Sequence, residues 1–120
     1  MSFELKQSQA LGLLHSTALE IVREATPEGM ADLSMRQLSI LMIIYLETPA
    51  HTVRGLAYRL DVTKPVITRA LDTMGKAGLV SRRRDLQDGR NVVIQRTVAG
   101  ALFVEKLGDL VAAKALDLPR

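Results

Sequence analysis

A mainly α-helical domain with one small β-hairpin set before its last helix is the fold class this sequence predicts, and three observations predict it. Apolar residues recur at helical spacing in most of the chain, and the segment Met35–Glu47 is apolar nearly all round. Period-two alternation is confined to one short stretch, where Val92 and Ile94 share a face beside the turn pair Asp88-Gly89. Breakers, among them Thr26-Pro27-Glu28-Gly29 and Thr48-Pro49-Ala50, separate the segments. The expected order is helix, helix, helix, helix, two strands, helix.

Each element has its own warrant. About Glu4 to Glu24, the residues Leu11, Leu14, Ala18, Ile21 and Val22 form one helical stripe. Ser34 followed by Gln37 is a capping-box signature that starts the helix through Met35–Glu47, expected to be the central and most buried one. Thr52 caps a short helix, Val53–Leu60, with Leu56, Ala57 and Leu60 inward, and Asp61-Val62-Thr63 makes the turn. Pro65 falls in the first turn of the next helix, where its missing N–H does no harm. That helix repeats Ile67, Ala70, Leu71 and Met74 toward the core and ends near Gly78, a natural residue just past a helix end. Leu79 to Arg84 and Asn91 to Gln95 form the hairpin. Thr97 caps a final helix to about Leu116, striped by Phe103, Leu107, Leu110 and Val111.

A chain of 120 residues is one domain's worth, and 48% hydrophobic with 24% charged residues fits a soluble globular protein. No apolar run is long enough to span a bilayer, and no export-signal pattern opens the chain, so no membrane association and a cytoplasmic location are expected. The absence of cysteine excludes disulfides, thiolate metal sites and thiol nucleophiles within this chain. Net charge is +3 but unevenly spread. Thr52 to Arg96 holds ten Lys/Arg against four Asp/Glu, a local +6, while the rest holds six against nine, a local −3. Such asymmetry fits a polyanion-binding face as well as it fits chance clustering on a solvated surface.

Position decides between those two. With Ile67, Ala70, Leu71 and Met74 inward, 100° per residue turns Pro65, Thr68, Arg69, Asp72 and Lys76 outward. An arginine on such a helix can donate to guanine in bidentate fashion, and a threonine can meet a phosphate or a thymine methyl. Arg69 is therefore the candidate for base readout, with Thr63, Lys64, Pro65 and Thr68 beside it; the bland alternative pairs Arg69 with the nearby Asp72. In the hairpin Arg82 and Arg84 share one face and Arg83 takes the other, because strand side chains alternate. One side can meet phosphates while the other packs its stem on the body. Arg90, at the turn, suits a narrow minor groove. Asp85 and Asp88 would be poor neighbours for phosphate and are expected to accept turn N–H groups and so stabilise the loop.

The pattern Ile67-Thr68-Arg69, Gly78-Leu79-Val80, Arg82-Arg83-Arg84-Asp85, Asp88-Gly89-Arg90 and Thr97-Val98-Ala99-Gly100 resembles the MarR family of winged helix-turn-helix regulators, from roughly Leu33 to Leu107. The resemblance implies a homodimeric transcription factor on double-stranded DNA, a repressor by family tendency, with its recognition helix in the major groove and its wing in the minor groove. It implies recognition-helix roles for Thr68 and Arg69 and a wing pair of Arg90 on DNA and Asp88 in support. It divides the chain into an N-terminal dimerisation or packing helix (1–30), the DNA-binding domain (31–97) and a C-terminal dimerisation helix (98–120). Departures from the pattern are Gly55 and Gly75 in helices, Pro65 at a usually small polar position and Arg96 at a usually apolar one. Family members also commonly carry longer C-terminal helices than the stretch that follows Thr97 here.

Many members of that family bind small, often aromatic, effectors in a cleft. Aromatics are 3% of this sequence, and Met30, Met35, Met42 and Met74 read as packing residues, so these residues lend an effector no support. No cofactor is expected, and His15 and His51 lack a ligand partner at i+3 or i+4, so no metal site is expected. No catalytic constellation is present. The rival to DNA binding is a winged-helix module whose basic face docks an acidic protein.

Overall fold

The computed structural model describes residues 4–119. Its elements are α1 (Gln7–Glu24), α2 (Met35–Leu46), β1 (His51–Thr52), α3 (Val53–Leu60), α4 (Lys64–Lys76), β2 (Val80–Arg84), β3 (Val92–Arg96) and α5 (Val98–Leu116). The chain forms two compact units: Leu33–Val104, and the segments up to Asp32 and from Glu105 on.

In the first unit α2 supplies the centre of the core, as its sequence requires. Ile40, Leu41, Ile43 and Ile44 are buried, with Leu56, Ile67, Leu71, Met74, Leu79, Val80 and Ile94 from the other elements. The capping box starts α2 as expected: Ser34 Oγ accepts from the Gln37 amide at 3.1 Å, and Gln37 Oε1 accepts from the Ser34 amide at 2.8 Å. Thr52 Oγ1 accepts from the Gly55 amide at 3.0 Å and caps α3. Each such cap contributes about 1 kcal/mol. The α3–α4 turn closes through Asp61, which takes the left-handed conformation at φ 56°, and the Val62 amide, which donates to Ala57 O at 3.0 Å.

One expectation is corrected here. The sheet has three strands, in the order β1-β3-β2, and all pairs are antiparallel. His51 and Thr52, read from sequence as loop and helix cap, pair with Ile94 and Val93. Two residues cannot show an alternation, so only the tertiary pairing reveals this strand. His51 is buried as a result, and its Nε2 lies 3.2 Å from Glu47 O.

A small set of polar contacts locks the start of α5 to the α4–β2 connection. Tyr45 OH donates to Leu79 O at 2.7 Å and accepts from the Thr97 amide at 2.9 Å. Thr97 Oγ1 donates to Gly78 O at 2.7 Å and accepts from the Gly100 amide at 2.9 Å, which is the cap expected of it. Gly78 itself sits at φ 77°, as a glycine just past a helix end should. Arg96, out of place by the family pattern, has a local reason. Its Nε donates to Ile44 O at 2.7 Å and its Nη2 to Glu47 O at 3.0 Å, which satisfies carbonyls left open at the C-terminal end of α2.

Glu47, just past α2, receives both Nη groups of Arg59 from α3, the Nη2–Oε2 contact at 3.0 Å. These hydrogen bonds hold the Glu47 carboxyl below its ordinary value. A depressed folded-state value stabilises the fold above the ordinary carboxylate range, about pH 4.3, and that contribution disappears as pH falls through the folded value. Wild type should therefore melt slightly above Arg59→Gln at pH 7, and the gap should shrink as pH falls below the ordinary carboxylate range. A gap independent of pH would assign the difference to packing instead.

In the other unit the apolar stripe of α1 lies mostly in the open. Leu11, Leu14 and Val22 are 59%, 61% and 66% exposed, and Ala18 is exposed as well; only Ile21 of that stripe is half-buried. The covered side is Leu13, Thr17, Glu20, Ile21 and Glu24, with Glu20 and Glu24 paired to Lys114 and Lys106 of α5. Apolar residues occupy two sides of this helix, and spacing alone could not say which one the unit covers. In α5, Leu107 is buried and Phe103, Leu110 and Val111 are half-buried, in line with the stripe expected there. Among the methionines, Met30 and Met74 are buried and Met42 half-buried, but Met35 is 77% exposed and is no packing residue. It sits in the first turn of α2, before the core begins.

Candidate nucleic-acid interface

α4 turns its apolar residues inward and leaves the predicted face open. Ile67, Ala70, Leu71 and Met74 are buried, while Thr63, Lys64, Pro65, Thr68 and Arg69 are all exposed. The five candidates from this segment therefore lie together on the outer side of its first two turns. Thr63 is the residue before α4, and its side chain makes no capping hydrogen bond, so its hydroxyl stays available. Among the described residues the Arg69 guanidinium is held only by a 3.4 Å hydrogen bond from Nε to Pro65 O.

The alternative that paired Arg69 with Asp72 is not what the structure holds. Asp72 Oδ1 accepts from Arg82 Nη2 at 2.7 Å, which ties α4 to the wing. The register explains it. Val80, Arg82 and Arg84 lie opposite Arg96, Ile94 and Val92, and directly opposed residues share a face. Val80 and Ile94 of that face are buried in the core, so Arg82, one step further out, emerges beside α4. Arg84, another step out, turns to the loop and donates from Nη1 to Gly89 O at 2.8 Å. Arg83 stands on the other face, exposed. Of the three arginines, Arg82 and Arg84 hold the wing in shape, and Arg83 has only a marginal 3.5 Å contact with Arg84 O.

The wing tip is built as its aspartates suggest. Asp85 Oδ1 accepts from the Gln87 amide at 2.9 Å and Asp88 Oδ1 from the Arg90 amide at 3.1 Å. Backbone bonds from Asp85 N to Asn91 O and from Asn91 N to Asp88 O, both 3.0 Å, close the loop. Arg90 projects from this frame with its side chain 95% exposed, Nε 3.7 Å from Asp88 Oδ1. The carboxylate thus steadies the base of the arginine without covering it. Sequence reasoning missed the anchoring role of Asp72. The ten-residue separation from Arg82 follows no local rule, and only the outward placement of Asp72 hinted at it.

Helix, turn and helix beside a three-stranded wing, with a basic outer face on the second helix, define a winged helix-turn-helix protein of the DNA-binding class. The chain belongs to the MarR family, whose sequence model matches residues 33–92. It is similar to the organic hydroperoxide resistance transcriptional regulator of Bacillus subtilis (strain 168), 28% identical over 105 residues, covering 87% of this chain and 71% of that protein. It is also 36% identical over 76 residues to the HTH-type transcriptional repressor YetL of the same organism, spanning 62% of this chain and 45% of that one. Its fold matches the S. aureus MepR–DNA complex with a TM-score of 0.73 at 20% identity, over 88% of this chain and 82% of that one. The protein is a MarR-family transcriptional regulator and not an enzyme.

Proposed function

We propose that the chain is a sequence-specific repressor that binds a near-palindromic DNA site as a homodimer. α4 enters the major groove with Arg69 on base edges and Thr63, Lys64, Pro65 and Thr68 on phosphates or base edges, and the wing reaches the minor groove with Arg90. The observation that carries this reading is the linkage of two basic probes through one framework. Arg69 stands open on α4, the Asp72–Arg82 ion pair ties α4 to β2, and an aspartate-framed loop holds out Arg90. The like fold of MepR forms a complex with DNA, which supports the same docking here.

The uncovered side of α1, with Leu11, Leu14, Leu19 and Val22 exposed, supports a homodimer, since contiguous apolar surface on one helix marks an association face. Two subunits would set their recognition helices about 34–36 Å apart, one DNA turn. The domain roles follow: residues 31–97 read DNA, and the terminal helices pair the subunits in the cytoplasm.

Selection of bound fragments from a pool of random duplexes, repeated across a salt series, tests the reading. It predicts an enriched inverted repeat and an affinity that falls steeply with salt. Salt-sensitive binding with no enriched sequence would replace it with a DNA-coating role, and no binding would favour docking to an acidic protein. Arg83→Ala should weaken binding to all sequences alike and reduce the log–log salt slope by about 0.9 for each lost phosphate contact. A changed motif with an unchanged slope would make Arg83 a base reader instead.

A further inference from the structure

The recognition helix has two flanks, and only one of them faces the wing. Asp72, Gly75 and Lys76 of α4 border Val80, Ser81 and Arg82 of β2 across one groove. On the other flank Val66, Arg69, Ala70 and Thr73 border the first turn of α2, where Ser34, Arg36 and Gln37 line a second open groove of about 240 Å³. Two arginines, Arg36 and Arg69, line this second groove, and none of its seven lining residues is acidic. Ser34 and Gln37 are uncharged, and their side-chain oxygens accept each other's backbone amides in the capping box. Arg36 is exposed, and among the described residues its side chain has no hydrogen bond and no carboxylate partner. In α4 and the wing strands and loop, Arg69, Arg82, Arg83, Arg84, Arg90 and Arg96 each have a carboxylate or carbonyl oxygen within 3.7 Å.

We propose that Arg36 is a DNA-backbone contact, holding a phosphate on the flank of α4 away from the wing. The inference rests on the placement of α4 in the major groove. With α4 seated there, the two phosphate walls of the groove run along its two flanks, so the wing meets one wall and the first turn of α2 meets the other. A guanidinium matches phosphate geometry and forms strong charge-assisted hydrogen bonds to it. Such a contact sets register and orientation and carries no base information. Arg36 thus fixes how deeply and at what roll Arg69 approaches the bases.

The test uses the full chain and the DNA site selected by the wild type, with salt titrations and ethylation interference for the wild type, Arg36→Ala and Arg36→Lys. Arg36→Ala is expected to lower the salt slope by about 0.9 per subunit contact and to lose affinity for selected and random duplexes by the same factor. It should also abolish interference at a phosphate in each half-site distinct from those lost in Arg83→Ala. Arg36→Lys should keep most of the slope. An Arg36→Ala protein with wild-type slope and interference pattern would overturn the inference while leaving the repressor reading intact. If the wild type itself selects no site, that reading falls and the inference falls with it.

Discussion

Gly100→Ala is expected to destabilise the protein by about 3 kcal/mol or more, at the upper end of what overpacking costs. A Cβ at this position would lie 1.8 Å from Tyr45 OH and 2.2 Å from Leu79 O. The first obstacle is a side chain, but one held by the Leu79 carbonyl and the Thr97 amide. The second is backbone in the α4–β2 connection, so it cannot move without shifting the root of the wing. Tyr45→Phe should therefore fail to rescue the variant, because the Leu79 carbonyl remains. Gly75→Ala provides a control of opposite sign. Gly75 lies within α4 with its nearest non-local neighbour, Val80 O, at 4.0 Å, so alanine there should gain about 0.5–1 kcal/mol. Urea unfolding of the three variants decides the matter. If Gly100→Ala unfolds at the wild-type midpoint, the close packing of α5 on this connection is not a constraint.

How much of this was legible in the sequence depended on whether a signal was local. Caps announce themselves over three residues, and Ser34, Thr52 and Thr97 all accept the amide expected of them. The inward row of α4 is likewise a single periodicity with no competitor, and Ile67, Ala70, Leu71 and Met74 are buried. α1 shows where this reasoning runs out: it carries apolar residues on two sides, and the stripe that periodicity picks out lies mostly on the side its unit leaves open. β1 was illegible because its two residues become a strand only by meeting β3. At the candidate site the outward residues could be named, but their partners could not. Asp72 belongs to Arg82 and not to Arg69, and Arg36 joins the flank of α4 from an element nearly thirty residues upstream. Charge counts located the basic face, while sheet register decided which arginines hold the wing and which remain available.

Arg69→Ala should relax base preference at one position of each half-site by about 1–3 kcal/mol, or roughly 5- to 150-fold in discrimination. The reasoning starts from what does not hold Arg69. The nearest carboxylate on its own helix, Asp72, is committed to Arg82, and among the described residues the one hydrogen bond of the guanidinium is the 3.4 Å one to Pro65 O. Entering the groove therefore breaks no ion pair, and the donors released can meet O6 and N7 of a guanine together. Arg69→Lys keeps the charge but replaces a planar fork by a point charge, so it should retain salt-dependent binding and lose much of the discrimination. That split separates a base reader from a phosphate contact, for which lysine would serve. The measurement is the motif selected by each variant from the same random pool. A motif unchanged in Arg69→Ala would move base readout to Thr68 or Lys64, the other exposed residues of the first two turns of α4 with hydrogen-bonding side chains. A motif that loses one base per half-site, with the wing-side flanks untouched, would fix Arg69 as the reader and set the register of α4 in the groove.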